Sequence, residues 1–213
     1  MPFPDTEPPR DCPCCPRLAG LRKDLRRSHP DWWNSPVPAW GDPRAWLAIV
    51  GLAPGLRGAN RTGRPFTGDY SGMLFYETLL KLGLAEGRYE ARADDDLRLI
   101  GCVVVNTVRC LPPQNRPLPV EVTACRPYYV ATLAALPEVR VLVALGRIAH
   151  DNAIRAAGGQ LSQHPFAHGA EHRLDDGRTL LDSYHCSRQN TNTGRLTRAM
   201  FESVFRRALE LRP

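Results

Sequence analysis

The chain of 213 residues contains no run of about 18 apolar residues, so no membrane-spanning helix is expected. It has no internal repeat, no low-complexity block and no linker strong enough to divide it, which leaves one domain over residues 1–213. Lysine is almost missing, with two lysines against twenty-six arginines. The start, Met1-Pro2-Phe3-Pro4-Asp5, has neither a basic nor an apolar region and does not read as a secretion signal. The expected compartment is the cytoplasm, where seven cysteines serve as thiols or metal ligands rather than disulfides.

What is present is the composition of a globular protein, 43% hydrophobic and 23% charged. The net charge of +6 favours a polyanionic partner such as nucleic acid. Arginine, the dominant base, suits bidentate phosphate contacts.

Residues 1–16 are proline-rich and expected to be irregular, and Leu18 to Leu25 suits a short helix. Compact apolar runs predict strands at Ala45–Val50, Val103–Val105, Val139–Leu145 and Arg178–Tyr184. Between and after them, helical spacing covers Met73–Leu84, Val120–Leu136, Ile148–Ala157 and Thr197–Leu211. Alternating strands and helices predict a parallel sheet in an α/β layer fold.

In such a sheet, ligands sit at the carboxyl ends of the strands. Two polar loops leave strands there. The first runs from Gly51-Leu52-Ala53-Pro54-Gly55 to Gly63-Arg64-Pro65-Phe66-Thr67-Gly68-Asp69. The second runs from Tyr184-His185-Cys186-Ser187-Arg188-Gln189-Asn190 to Thr197. Together they are candidates for the two walls of one site. Phe66 offers a surface on which a base can stack, or an anchor into the core. Asp69 offers a carboxylate to developing positive charge, or a cap to the following helix. His185 follows a strand directly and is a candidate hydrogen-bond donor. Asn106, at the end of the Val103–Val105 run, has an amide able to pair with a base edge. Ser187, Arg188, Asn190 and Arg195 suit phosphate and sugar contacts, and Arg61 and Arg64 are assigned to DNA with them.

Cys12 and Cys15 form a C-x-x-C pair, with Cys14 competing for the second place, and Cys110 and Cys125 lie far downstream. Four thiolates suit a zinc site or a four-iron cluster. The second pair is too widely spaced for a common zinc ribbon.

At these residues the chain resembles the uracil-DNA glycosylase superfamily, specifically its family 5. The stretches that carry the resemblance are Cys12-x-x-Cys15-Pro16-Arg17-Leu18, the Gly51–Gly55 and Asn60–Asp69 segments, Val108-Arg109-Cys110-x-Pro112-Pro113-x-Asn115, Ala144-Leu145-Gly146-Arg147, His164-Pro165-Phe166-x-His168-Gly169 and the His185–Thr197 loop. The resemblance implies a three-layer α/β/α fold around a four-stranded parallel sheet. It implies a structural 4Fe-4S cluster on Cys12, Cys15, Cys110 and Cys125. It implies hydrolysis of the N-glycosidic bond of uracil, and of other deaminated bases such as hypoxanthine, in DNA by a monomer. Asp69, His185 and Asn115 are then the expected catalytic residues, and Gly51, Ala53, Phe66, Asn106 and His185 the expected base contacts. The related family 4 carries an acidic residue in the first loop, where this chain has only apolar side chains such as Leu52; that favours a dissociative path. The rivals from other classes are a non-catalytic module that binds damaged DNA and an iron–sulfur electron carrier.

Overall fold

A computed structural model describes residues 6–213; the first five residues of the proline-rich start lie outside this range. In chain order the elements are α1 (Pro16–Ser28), β1 (Trp40–Gly41), β2 (Leu47–Gly51), α2 (Ala59–Thr62), α3 (Tyr70–Lys81), β3 (Ala85–Glu86), β4 (Arg98–Leu99), β5 (Cys102–Asn106), α4 (Pro119–Ala134), β6 (Val141–Leu145), α5 (Arg147–Ala156), β7 (Glu171–Arg173), β8 (Thr179–Ser183), α6 (Arg188–Asn192) and α7 (Arg198–Glu210). Each predicted helix and strand is present, with ends shifted by a few residues.

The sheet has six strands in the order β1-β5-β2-β6-β8-β7. Its four central strands are parallel, as expected. An antiparallel strand closes each edge, which enlarges the predicted four-stranded sheet. β3 and β4 form a separate small ribbon.

All five residues of β2, β5 and β6 are buried. Side chains alternate between the two faces of a strand, and both faces are covered, so the runs read as continuously apolar. Leu47, Ile49, Val104 and Val143 join Phe75, Leu79, Phe201 and Phe205 of α3 and α7 in one core. Ala48, Val50, Val103 and Leu142 join Tyr129, Leu133, Ala153 and Ile154 of α4 and α5 in the other. These are the three layers. No helix among the described residues is long and apolar enough to cross a membrane.

Parallel strands place all their carboxyl ends on one side. Gly51 ends β2, Asn106 ends β5 and His185 follows β8 by two residues, so the fold itself gathers the two loops.

Candidate active site

The loops enclose a pocket of about 390 Å³. From the first come Leu52, Ala53, Gly55, Ala59, Phe66, Asp69 and Ser71; from the second, His185, Ser187 and Gln189; Asn106 and Asn115 complete the lining. Of the expected catalytic and base-contacting residues, Asp69, His185, Asn115, Ala53, Phe66 and Asn106 therefore meet in one place. Gly51 stands behind the lining. A Cβ there would lie 2.3 Å from Asn106 Oδ1, so glycine leaves the space that the amide occupies. Ser71 and Gln189 were not singled out from sequence. Each lies in the first turn of a helix, Ser71 in α3 and Gln189 in α6, two residues after another lining residue.

Asp69 takes the capping role expected of it and also lines the pocket. It is the N-cap of α3, its Oδ1 accepting the Gly72 N–H at 3.3 Å. Its other oxygen turns to the first loop, where a Cβ on Gly58 would approach Oδ2 to 2.3 Å. Burial pushes its carboxyl above the usual range, and the backbone N–H groups of Gly72 and Ser71 oppose that only in part. Among the described residues, Asp69 is the one acidic side chain lining the pocket.

Burial pushes His185 down to about 4, although part of the ring opens on the pocket. The imidazole is therefore neutral at pH 7, with one N–H to donate. Phe66 is the core anchor expected of it and also lines the pocket. It is buried and stacked on Phe75, with ring centroids 4.3 Å apart, and lies 5.9 Å from the His185 ring on a nearly parallel plane. Its φ of 52° is left-handed, an uncommon state for a bulky side chain. Tyr76 donates to the carbonyl of Pro65 and Tyr89 to that of Phe66, which holds the turn in place.

Arg64 corrects one expectation. It is buried, not DNA-facing. Its guanidinium grips Asp95 through both terminal nitrogens, at 2.6 and 2.8 Å, and Nε donates to Thr67 Oγ1 at 2.7 Å. It also lies 4.9 Å from the centre of the Trp40 ring. Its work is to hold the first loop. Asn190 also turns inward, its amide donating to the His185 carbonyl at 2.8 Å, so that donor braces the second loop and is not free for phosphate. Ser187 lines the pocket and caps α6 by accepting the Asn190 N–H. Arg61, Arg188 and Arg195 are exposed. Arg188 and Arg195 sit against the rings of Tyr70 and Tyr184. The hydroxyl of Tyr70 meets Thr191 Oγ1 at 3.1 Å and Asn192 Oδ1 at 3.4 Å, a bridge between the two walls.

The residue-38–209 stretch matches the sequence profile of the Uracil DNA glycosylase superfamily. The chain is 50% identical over 206 residues to a type-5 uracil-DNA glycosylase of Thermus thermophilus, covering 94% of this chain and 93% of that one. It is 42% identical over 208 residues to a type-5 uracil-DNA glycosylase of Mycobacterium tuberculosis, covering 94% and 78%. A third relative so named, from Pyrobaculum aerophilum, is 39% identical over 202 residues, covering 93% and 88%. The chain belongs to the type-5 branch of the uracil-DNA glycosylase superfamily.

Two further clusters flank the type-5 site. Behind the second loop, Asp182 of β8 is fully buried and receives His150 Nδ1 at 2.8 Å and His172 Nε2 at 3.0 Å. His150 Nε2 lies 2.9 Å from the carbonyl of His164. Both nitrogens of His150 thus face acceptors, and a ring that donates twice is an imidazolium. Burial acts to lower its affinity for protons, but the hydrogen bond and charge of Asp182 outweigh it and raise the ring above its ordinary value.

Behind the first loop, Cys12, Cys15, Cys110 and Cys125 line a small pocket with Leu18, Arg22, Val108 and Tyr128. Ala53 packs against this cluster while lining the active-site pocket on its other side. Cys14 sits at the exposed rim. No disulfide joins any of the seven cysteines. Burial and the neighbouring sulfurs push Cys15 up to about 11, and burial pushes Cys110 up to about 12. Among the described residues, the one trio of metal-type donor atoms within 4.8 Å of one another is His150, His172 and Asp182, so no three of the four sulfurs lie that close together. A single tetrahedral zinc, at about 2.3 Å from each ligand, needs sulfurs about 3.8 Å apart. The four thiols fit a larger group.

Proposed function

We infer that the protein is a monofunctional uracil-DNA glycosylase, which hydrolyses the N-glycosidic bond of uracil in DNA and leaves an abasic site. The observation that carries this is the meeting of a buried carboxylate, Asp69, and a neutral imidazole, His185, in one pocket of a type-5 chain. An extruded nucleotide, whose unstacking costs about a few kcal/mol, enters between the loops. Phe66 supports the base and the Asn106 amide meets its edge. As the bond between the base and C1′ breaks, its electron pair passes to the base and positive charge develops on the sugar. The N–H of His185 faces the anionic base oxygen, and a preorganised donor of this kind stabilises the charge as it forms. The Asp69 carboxylate faces the sugar cation and, with Asn115, orients the water. Oxygen from that water bonds to C1′, and its released proton neutralises the departing base.

Small lining groups at Ala53, Gly55 and Ala59 suit the reading that other deaminated bases, hypoxanthine among them, are also accepted. The same reading has the protein act as a monomer in the cytoplasm. Cys12, Cys15, Cys110 and Cys125 are the residues that would hold a 4Fe-4S cluster. When bound, it supplies cross-links that tie the N-terminal segment, the β5–α4 loop and α4 together behind Ala53, and no catalytic step passes through it.

The test is an oligonucleotide carrying one uracil, hypoxanthine or thymine, treated with the purified protein and then alkali. Strand cleavage at uracil and hypoxanthine, with thymine intact, is expected. Binding to uracil-containing DNA without abasic-site formation would identify a damage-binding module instead.

A further inference from the structure

Arg22 of α1 is 5% exposed, and among the described residues no carboxylate lies within ion-pair distance of it. Its Nη1 donates to Cys110 Sγ at 3.3 Å and its Nη2 to the Cys12 carbonyl at 2.9 Å, while its buried Nε has no partner. A guanidinium stays charged in any protein environment, and a buried charge without a counter-charge is strongly unfavourable. Asp11, paired with Arg26, interacts with this charge only from beyond contact distance, so the group that Arg22 touches directly with a terminal nitrogen is a sulfur of the cysteine pocket.

We propose that Arg22 is a positioning residue for the metal group of the cysteine pocket: its charge and its two-pronged grip hold Cys110 as a thiolate ligand and set the cluster's reduction potential. The inference rests on the 4Fe-4S reading above. Four thiolates around such a core leave the site with net negative charge, and potentials of these clusters follow net charge and hydrogen bonds to sulfur. Removing the cation beside Cys110 makes addition of one electron harder. It also removes the two hydrogen bonds that tie Cys110 Sγ and the Cys12 carbonyl to α1, which loosens the frame around the metal group. The second buried arginine here, Arg109, already has Glu7 at 3.5 Å and spends Nη2 on Thr132 Oγ1, so only its backbone N–H reaches a sulfur, Cys125 at 3.3 Å. Among the described residues, Arg22 alone donates a guanidinium hydrogen bond to one of these four sulfurs.

The experiment compares the purified wild type, Arg22→Gln and Arg22→Lys. Iron per protein, the rate of bleaching by a chelator, and the midpoint potential of one-electron reduction titrated with dithionite are measured on each. Arg22→Gln is expected to bleach at least about tenfold faster and to reduce at a more negative potential. Arg22→Lys, which keeps the charge but not the fork, is expected to bleach faster than wild type at a nearly unchanged potential. If Arg22→Gln does not fold, Arg22→Lys decides alone: wild-type bleaching there overturns the role of the grip. An iron-loaded wild type with an Arg22→Gln variant of equal potential and bleaching rate overturns this inference only. A wild type without iron overturns the cluster itself, and this inference with it.

Discussion

The two walls of the pocket are built in opposite ways. The wall from Gly51 to Asp69 is locked from inside: the buried Arg64–Asp95 pair, the Tyr76 and Tyr89 hydroxyls on the Phe66 turn and the glycine clearance at Gly58 leave Asp69 one position. The wall from His185 to Thr197 is short and mostly exposed. It is held by Asn190, by the Tyr70 bridge and, from behind, by the histidines on Asp182. Where arginine is buried it builds the site, and where it is exposed, at Arg188 and Arg195, it is available to phosphate. The same residue type thus does structural work at Arg64, while Arg61 on that wall and Arg188 and Arg195 on the other stand exposed.

His185→Ala should break the second wall's chemistry. Single-turnover uracil release is expected to fall by on the order of 10²-fold or more, as for loss of one donor to a developing anion, with product-DNA affinity nearly unchanged. Full activity would make His185 structural. Arg64→Met should break the first wall's scaffold. Removing one partner of a buried ion pair costs about 3–5 kcal/mol, to be read by urea unfolding, while the salt dependence of DNA binding stays as in wild type. A weaker salt dependence with intact stability would return Arg64 to the DNA surface.

The brace behind the second wall gives a smaller effect, dependent on pH. The folded-state affinity of His150 for its proton is raised. Its contribution to stability is therefore fully present below the ordinary histidine value and is lost as pH rises through the raised one. Thermal melts of wild type against His150→Gln should converge on going from about pH 6 to 9. A gap independent of pH would mean that the ring is not an imidazolium. Smallest is Arg195→Glu. The salt slope of DNA binding should fall by about one unit, with little change in the chemical rate.

The central sheet was legible because each parallel strand is an apolar run buried on both faces and closed by a turn residue or a polar loop. The edge strands Trp40–Gly41 and Glu171–Arg173 were not, since two or three half-exposed residues carry no period. The pocket was legible because chain order in a parallel sheet puts both loops at one end. Arg64 was misplaced by its surroundings: an arginine among glycines suggests phosphate, and its partner lies 31 residues on in Asp94-Asp95-Asp96, which by sequence alone suggests a solvated loop. The Asp182 histidines were missed because their spacing makes sense only after β7 and β8 pair.

Asp69→Asn tests the account most directly, because asparagine caps a helix about as well as aspartate while removing the charge. Single-turnover release of uracil and the melting temperature are measured on the same samples. The account predicts a chemical step slowed by at least about tenfold at an unchanged melting temperature. In the wild type it predicts activity that falls on the acid side as the raised Asp69 carboxyl takes up its proton. An unaltered rate with a lowered melting temperature would contradict it and leave Asp69 as a helix cap alone.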